Sequence, residues 1–299
     1  MKKILLLLAF VAVSCSSEPI PVASDEQNPD TAKNGYNPGG TRIDPTKLAK
    51  VIIGPGASNE RQWFFYPNGL LWQIRKPDGT IQQTFQYDAS NRLIASIGVS
   101  GIPYYFTYDN QNRITSMGLQ TNTQPVSFDN ATNTYILGTD PIYHTEIVVN
   151  PDLLITSEKM YYQDIDNPDT PAILEGAYLG RVNGNMVYVS SGGDSYSTHT
   201  FDDKINPFKQ ALLPICRALG LYGFGDLNKK FANPNYNSIN NLLSLSYDIG
   251  DPESSSYVYE FNTNQLPIKQ TEYFYYLGVL EGTRVNILYY YQGDIILNP

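Results

Sequence analysis

A period of about 21 residues governs the first half of this chain. Segments Phe64–Ile74, Thr84–Ser96, Tyr105–Met117, Val126–Leu137 and Ile147–Ser157 align on Tyr66, Tyr87, Tyr108, Phe128 and Val149, which lie 21, 21, 20 and 21 residues apart. A fixed spacing in the twenties marks one supersecondary unit repeated. Within each unit the apolar residues alternate, as in Phe85 and Tyr87, then Leu93, Ala95 and Ile97. Period two means strands. The links Asp88–Asn91 and Asp109–Asn112 pair an Asp that can accept from its own downstream amides with an Asn that tolerates the left-handed conformation. Pro67-Asn68-Gly69 is a tighter version. Each unit is therefore a hairpin and the series an antiparallel meander.

The phrases Tyr87-Asp88-x-x-Asn91-Arg92-Leu93 and Tyr108-Asp109-x-x-Asn112-Arg113-Ile114 resemble the Tyr-Asp repeat of Rhs-type bacterial surface proteins. There the motif carries Gly where both units here carry Asn. The resemblance is clear over two repeats and weaker over three more, spanning residues 60–157, and no toxin cargo accompanies it. Together with the N-terminal features below and Thr200-Phe-Asp-Asp-Lys-Ile-Asn-Pro-Phe208, it also resembles uncharacterised Bacteroidota lipoproteins, one family of which is described as having a porin-like fold. That resemblance implies an outer-membrane lipoprotein and brings no activity.

Residues 1–14 read as an export signal: Lys2 and Lys3, an apolar stretch Ile4–Val13, then Ser14-Cys15. The stretch is about half of the roughly 20 residues a membrane helix needs. Cys15 stands where a lipoprotein signal places its lipidated cysteine, although Ala12 replaces the more usual Leu. Residues 15–45 are rich in Pro, Ser, Asn, Asp and Gly, a tether whose r.m.s. reach is about 30 Å; residues 46–299 form one β-rich domain. Removing Lys2 and Lys3 leaves 18 basic against 29 acidic side chains, a net −11. That balance argues against a nucleic-acid partner, which needs a basic footprint.

Further strands are expected at Ala177–Val182, Met186–Ser191, Ser195–Phe201, Leu243–Tyr247, Ser256–Phe261, Lys269–Leu277 and Arg284–Tyr291. One helix interrupts them over residues 206–220. Asn206 caps it, Pro207 fits its first turn, and Phe208, Ala211, Leu212, Ile215 and Leu219 share one face, with Pro214 inside and Gly220 as the stop. The expected class is all-β: an up-and-down meander forming a curved or partly closed sheet, with this helix plugging its concave face. Cys216 is expected as a small buried residue.

Tyrosine is in excess, at 24 residues. Adjacent strand residues face opposite ways, so Tyr273–Tyr276 and Tyr289–Tyr291 put aromatics on both faces of the sheet. Tyr273, Tyr275, Tyr289 and Tyr291 are the candidate ligand-binding residues on this ground. Chemistry is thinner. The acidic loop Asp164–Asp169 lacks the glycine and ligand spacing of a calcium loop. His144-x-Glu146 lacks a third metal ligand. Ser195, His199 and Asp202 can be drawn together but belong to no nucleophile elbow. Gly54-x-Gly56 is a turn. No catalytic, metal or cofactor motif is assigned.

The resulting expectation is a non-enzymatic cell-envelope lipoprotein, anchored by lipid at Cys15 and facing the periplasm or the cell surface. It has a binding or scaffold role toward a glycan, a lipid or an outer-membrane protein. A secreted hydrolase with paired carboxylates or a Ser–His pair, and a membrane-embedded barrel with an apolar outer band, are the alternatives.

Overall fold

The computed structural model describes residues 43–140, 143–163, 171–191, 195–219, 233–247 and 253–294. Cys15, the signal segment, most of the tether, the Asp164–Asp169 loop and Gly220 lie outside them. The order is β1 (Leu48–Ile53), β2 (Arg61–Phe65), β3 (Leu71–Arg75), β4 (Ile81–Tyr87), β5 (Leu93–Gly98), β6 (Pro103–Tyr108), β7 (Ile114–Leu119), β8 (Asn122–Asp129) and β9 (Thr134–Leu137). It continues through β10 (His144–Val149), β11 (Ile155–Gln163), β12 (Pro171–Val182), β13 (Asn185–Ser191), β14 (Ser195–Ile205), α1 (Phe208–Leu219), β15 (Asn240–Tyr247), β16 (Glu253–Phe261), β17 (Pro267–Tyr276) and β18 (Val279–Tyr291).

Every strand pairs antiparallel with the next in sequence. β18 then returns to β1, with Val51 opposite Tyr289 and Ile53 opposite Ile287. The meander expected from sequence is therefore present, and it closes into an 18-stranded barrel. The cycle is uneven in height. Strands β1 to β10 hold four to eight residues, whereas β12 and β14 to β18 hold eight to thirteen.

Antiparallel alternation sends the connections after even-numbered strands to one end, here the even end, and the others to the odd end. The even end is built by one turn used repeatedly. Asp88 Oδ1 accepts from the amides of Ser90 and Arg92, and its Oδ2 from Arg92 Nε at 2.7 Å; Asp109 does the same for Gln111 and Arg113. Asn91 and Asn112 have φ of 61° and 64°, the left-handed conformation expected of them. The anchor tyrosines tie the hairpins back: Tyr87 Oη donates to the Leu71 carbonyl and Tyr108 Oη to that of Leu93, both at 2.7 Å. Each repeat also leans on the next, since the Arg92 guanidinium lies over the Tyr108 ring and that of Arg113 over Phe128. A β-branched residue at Asn91 is expected to cost about 1–2 kcal/mol. Asn91→Val should accordingly lower the urea midpoint, while Asn91→Gly should leave it unchanged.

The helix is the plug the sequence called for. Asn206 Oδ1 caps the Phe208 amide at 3.0 Å, and Phe208, Leu212, Ile215 and Ala218 are fully buried. The helix lies across the even end: Phe208 packs on Trp63 of β2 and Tyr289 of β18, while Arg217 Nε reaches the Asp152 carbonyl in the β10–β11 turn. Around it closes a single core of Leu48, Val51, Phe65, Phe85, Phe106, Met117, Tyr135 and Ile147. Cys216 sits inside, its thiol pushed up to about 12 by burial.

Candidate functional site

The four tyrosines expected at a binding surface separate into two pairs. Tyr289 and Tyr291 point inward and belong to the core, at 5% and 1% exposure. Tyr289 packs at a tilt against Phe208, and Tyr291 Oη donates to the Pro267 carbonyl at 2.9 Å. Burial pushes both hydroxyls well above the ordinary tyrosine value, so neither is placed to meet a ligand. This corrects the expectation for those two, and the cause is register: the closing pair β18–β1 turns odd-numbered residues of β18 inward. Tyr273 and Tyr275 lie on the outer face and are half-exposed.

Cross-strand register sets these two tyrosines in rows across β14 to β18. One row runs Thr200, Ser244, Ser256, Tyr273, Thr283, and the other Thr198, Ser246, Ser254, Tyr275, Leu280. Thr198 Oγ1 meets Ser246 Oγ at 2.8 Å, and Thr200 Oγ1 meets Ser244 Oγ at 2.6 Å. Five strands at the usual spacing make each row about 19 Å long. The result is a strip of Ser and Thr hydroxyls on β14 to β16 that meets two aromatic rings on β17, with Thr283 and Leu280 beyond them and no charged side chain among the ten.

The inner face of the same wall is polar rather than apolar. Tyr257 Oη donates to Glu272 Oε1 at 3.1 Å, and Arg284 binds Glu272 Oε2 at 2.9–3.0 Å while covering the Phe274 ring. Deeper, Gln270 Nε2 donates to Asn235 Oδ1 at 2.9 Å. Across the cycle, the odd ends of β6 to β11 hold two recesses. One, of about 700 Å³, is lined by Tyr104, Met117, Leu119 and Gln124; the other, of about 370 Å³, by Tyr143, His144, Tyr161 and Tyr162.

His144 and Glu146 are brought together, but by packing: His144 stacks on Tyr161 with centroids 4.2 Å apart, and Tyr161 Oη donates to Glu146 at 2.9 Å. Among the described residues no three His, Cys, Asp or Glu side chains are grouped to hold a metal ion. Of the Ser195–His199–Asp202 drawing, His199 and Asp202 each bond other groups. His199 Nε2 meets Ser197 Oγ at 2.9 Å and Nδ1 meets the Met186 carbonyl at 2.7 Å. Burial pushes its pKa down, so the ring is a neutral core group satisfied at both nitrogens. Asp202 instead binds the Asn241 amide and side chain, each at 3.0 Å.

The wall is uneven in span and polarity. Strands β2, β3 and β9, of four to six residues, are shorter than the 9–11 a membrane strand needs, whereas β12 and β16 to β18, of nine to thirteen, reach it. On β6 and β7 the outer face carries hydroxyls, with exposed Thr107 bonded to Thr115 and Ser116. On β16 and β18 it also carries exposed Val258 and Leu280. Among the described residues no helix is long and apolar enough to cross a membrane.

No protein-family model matches the sequence, and no curated protein matches it. Solved structures do. A porin-like protein from Bacteroides uniformis is similar over 83% of this chain and 98% of its own, at 13% identity and a TM-score of 0.40. A porin-like protein from Bacteroides vulgatus is similar over 83% and 100%, at 6% identity and a TM-score of 0.38. The TcdB2-TccC3-Cdc42 structure is similar over 77% of this chain and 14% of that one, at 9% identity and a TM-score of 0.23.

Proposed function

We propose that this chain is a cell-envelope lipoprotein, anchored through Cys15, that binds a neutral glycan without transforming it. The observation that carries the reading is the outer strip of β14 to β18, where rows of Ser and Thr hydroxyls on β14 to β16 meet Tyr273 and Tyr275 on β17. Aromatic faces suit the C–H faces of sugar rings, and hydroxyls exchange hydrogen bonds with sugar hydroxyls at little desolvation cost. A strip about 19 Å long suits an extended oligomer rather than a single sugar. The net −11 of the chain beyond its first fourteen residues disfavours a polyanionic ligand through long-range repulsion.

The test uses cells that express the full chain, washed with fluorescent α-glucan, β-glucan and mannan. Retention of at least one polymer, reduced about tenfold or more in Tyr273→Ala/Tyr275→Ala, is expected; tenfold corresponds to about 1.4 kcal/mol. Equal retention by the double variant, or retention of none of the three, overturns the reading. In the same cells Cys15→Ala is expected to move the chain from the membrane to the soluble fraction, and continued membrane fractionation refutes the anchor.

A further inference from the structure

Hydrogen bonds at both ends of α1 fix the helix beside the end of β12. Asn206 Nδ2, in the helix cap, donates to the Asn235 carbonyl at 2.7 Å. Two residues on, the Asn237 carbonyl accepts from Arg181 Nη1 at 2.8 Å, and Arg181 Nε reaches the Ile155 carbonyl at 3.5 Å. At the far end of the helix Arg217 Nε binds the Asp152 carbonyl at 2.7 Å. The Arg181 guanidinium is therefore clamped between the start of β11 and the segment returning to β15. Its remaining nitrogen, Nη2, is closed off from solvent and has no hydrogen-bond partner among the described residues. Lys209 Nζ is in the same condition. Lys209 and Cys216, seven residues apart, share one flank of α1. Cys216 feels the charges of both Arg181 and Lys209, and the two cations stand close enough to act on each other.

Two positive charges in this position are costly without an anion. Burial lowers the pKa of both, and the Arg181 charge lowers that of Lys209 further. Lys209 is also the third residue after the Asn206 cap, where the helix dipole favours an acid and a capping box would place Glu or Gln. The first turn of α1 holds no acidic residue. Asp152 is a carboxylate that both cations feel, but it is exposed and bonds neither nitrogen. Burial keeps the Cys216 thiol protonated, so it supplies no negative charge. We infer that Arg181 Nη2 and Lys209 Nζ enclose a free dianion, sulfate or hydrogen phosphate, against the flank of the plug. Such an ion balances both charges and accepts a charge-assisted hydrogen bond from each. Two carbonyls already hold the guanidinium, so little side-chain freedom is lost on binding. The net −11 that disfavours a polyanion at the outer strip acts through solvent and is screened within about 8 Å, whereas an enclosed ion responds to the two cations beside it. Bound there, it ties α1 to β12 and stabilises the plugged barrel by mass action.

The experiment titrates the full chain, in non-ionic detergent at fixed ionic strength, with sodium sulfate and sodium phosphate in a calorimeter. Saturable binding of at least one ion is expected. Lys209→Met should weaken it about tenfold or more, the loss of one charge-assisted hydrogen bond. Lys209→Arg should retain it, which separates charge from packing, and Lys76→Met, at an exposed turn, should leave it unchanged. Phenyl phosphate, too large to be enclosed, should bind about tenfold more weakly than phosphate or less. The ion that binds should also raise the urea midpoint of wild type more than that of Lys209→Met. The general stabilising action of sulfate and phosphate on folded proteins is common to the two and cancels in that comparison. Binding of neither ion, equal binding by Lys209→Met, or phenyl phosphate bound as tightly as phosphate overturns the proposal.

Discussion

Truncating Phe208 to alanine is expected to lower the free energy of unfolding by about 3–5 kcal/mol. The side chain is fully buried at the first turn of the plug and touches three aromatic rings at once. Trp63 lies 5.7 Å away on β2, Tyr236 at 5.1 Å on the segment returning to β15, and Tyr289 at 5.5 Å on β18. Those rings come from the two sides of the β18–β1–β2 seam and from the insertion itself. Collapse around the missing ring would have to move the barrel wall and the helix together, which places the expected cost toward the upper end of the range. Set against a usual total of 5–15 kcal/mol, the loss should be plain in a urea midpoint. Trp63→Ala should cost a similar amount, and the double variant should cost less than the sum of the two, because each single change already empties part of the same contact. Additivity would mean that the plug and the seam are independent, contrary to the packing.

The parts of this fold that a reader of the sequence can see are those set by residues close together in the chain. The Asp88–Asn91 and Asp109–Asn112 turns follow from side chains bonding amides two and four residues on, and the helix start follows from Asn206 and Pro207. The same frame hides one further unit. Asn262 Oδ1 accepts from Asn264 and Leu266, Gln265 takes φ 59°, and Phe261 stands where the other units carry their anchor. With Asn for Asp and Gln for Asn, and far from the 21-residue period, Phe261-Asn262-x-x-Gln265-Leu266 is recognisable only once the turn is known. Closure is different in kind. The register of β18 on β1 joins residues more than 230 positions apart, and no local pattern encodes it. It is also what decides which aromatics face outward and which pack inside. Alternation says that Tyr289 and Tyr290 face opposite ways, but only the pairing of Tyr289 with Val51 says which one is inside. Of the four candidate tyrosines, Tyr273 and Tyr275 therefore lie on the outer face and Tyr289 and Tyr291 on the inner one, a division the sequence alone did not carry.

The second large effect concerns Glu158 on β11. It faces inward opposite Ile147, is 4% exposed, and its Oε1 has no hydrogen-bond partner. Desolvation of the carboxylate raises its pKa from 4.5 to about 7. The raised value fixes the sign of the pH dependence. The folded state holds the proton more tightly than the unfolded one, so the favourable contribution is complete below the unfolded pKa near 4.5. It declines as pH rises and is lost once pH passes about 7, where folding must bury a charge that the unfolded chain exposes to water. The full shift corresponds to about 3 kcal/mol, and partial access of water to the group reduces the expected loss to about 2 kcal/mol between pH 4.5 and 8. Glu158→Gln keeps the volume and removes the titration. Its unfolding free energy should match wild type near pH 5, exceed it by about 2 kcal/mol at pH 8, and vary less across that interval. Urea titrations of both proteins at half-unit pH steps provide the measurement. Parallel curves for the two would show that Glu158 is ionised in the fold, and would place a compensating cation beside it.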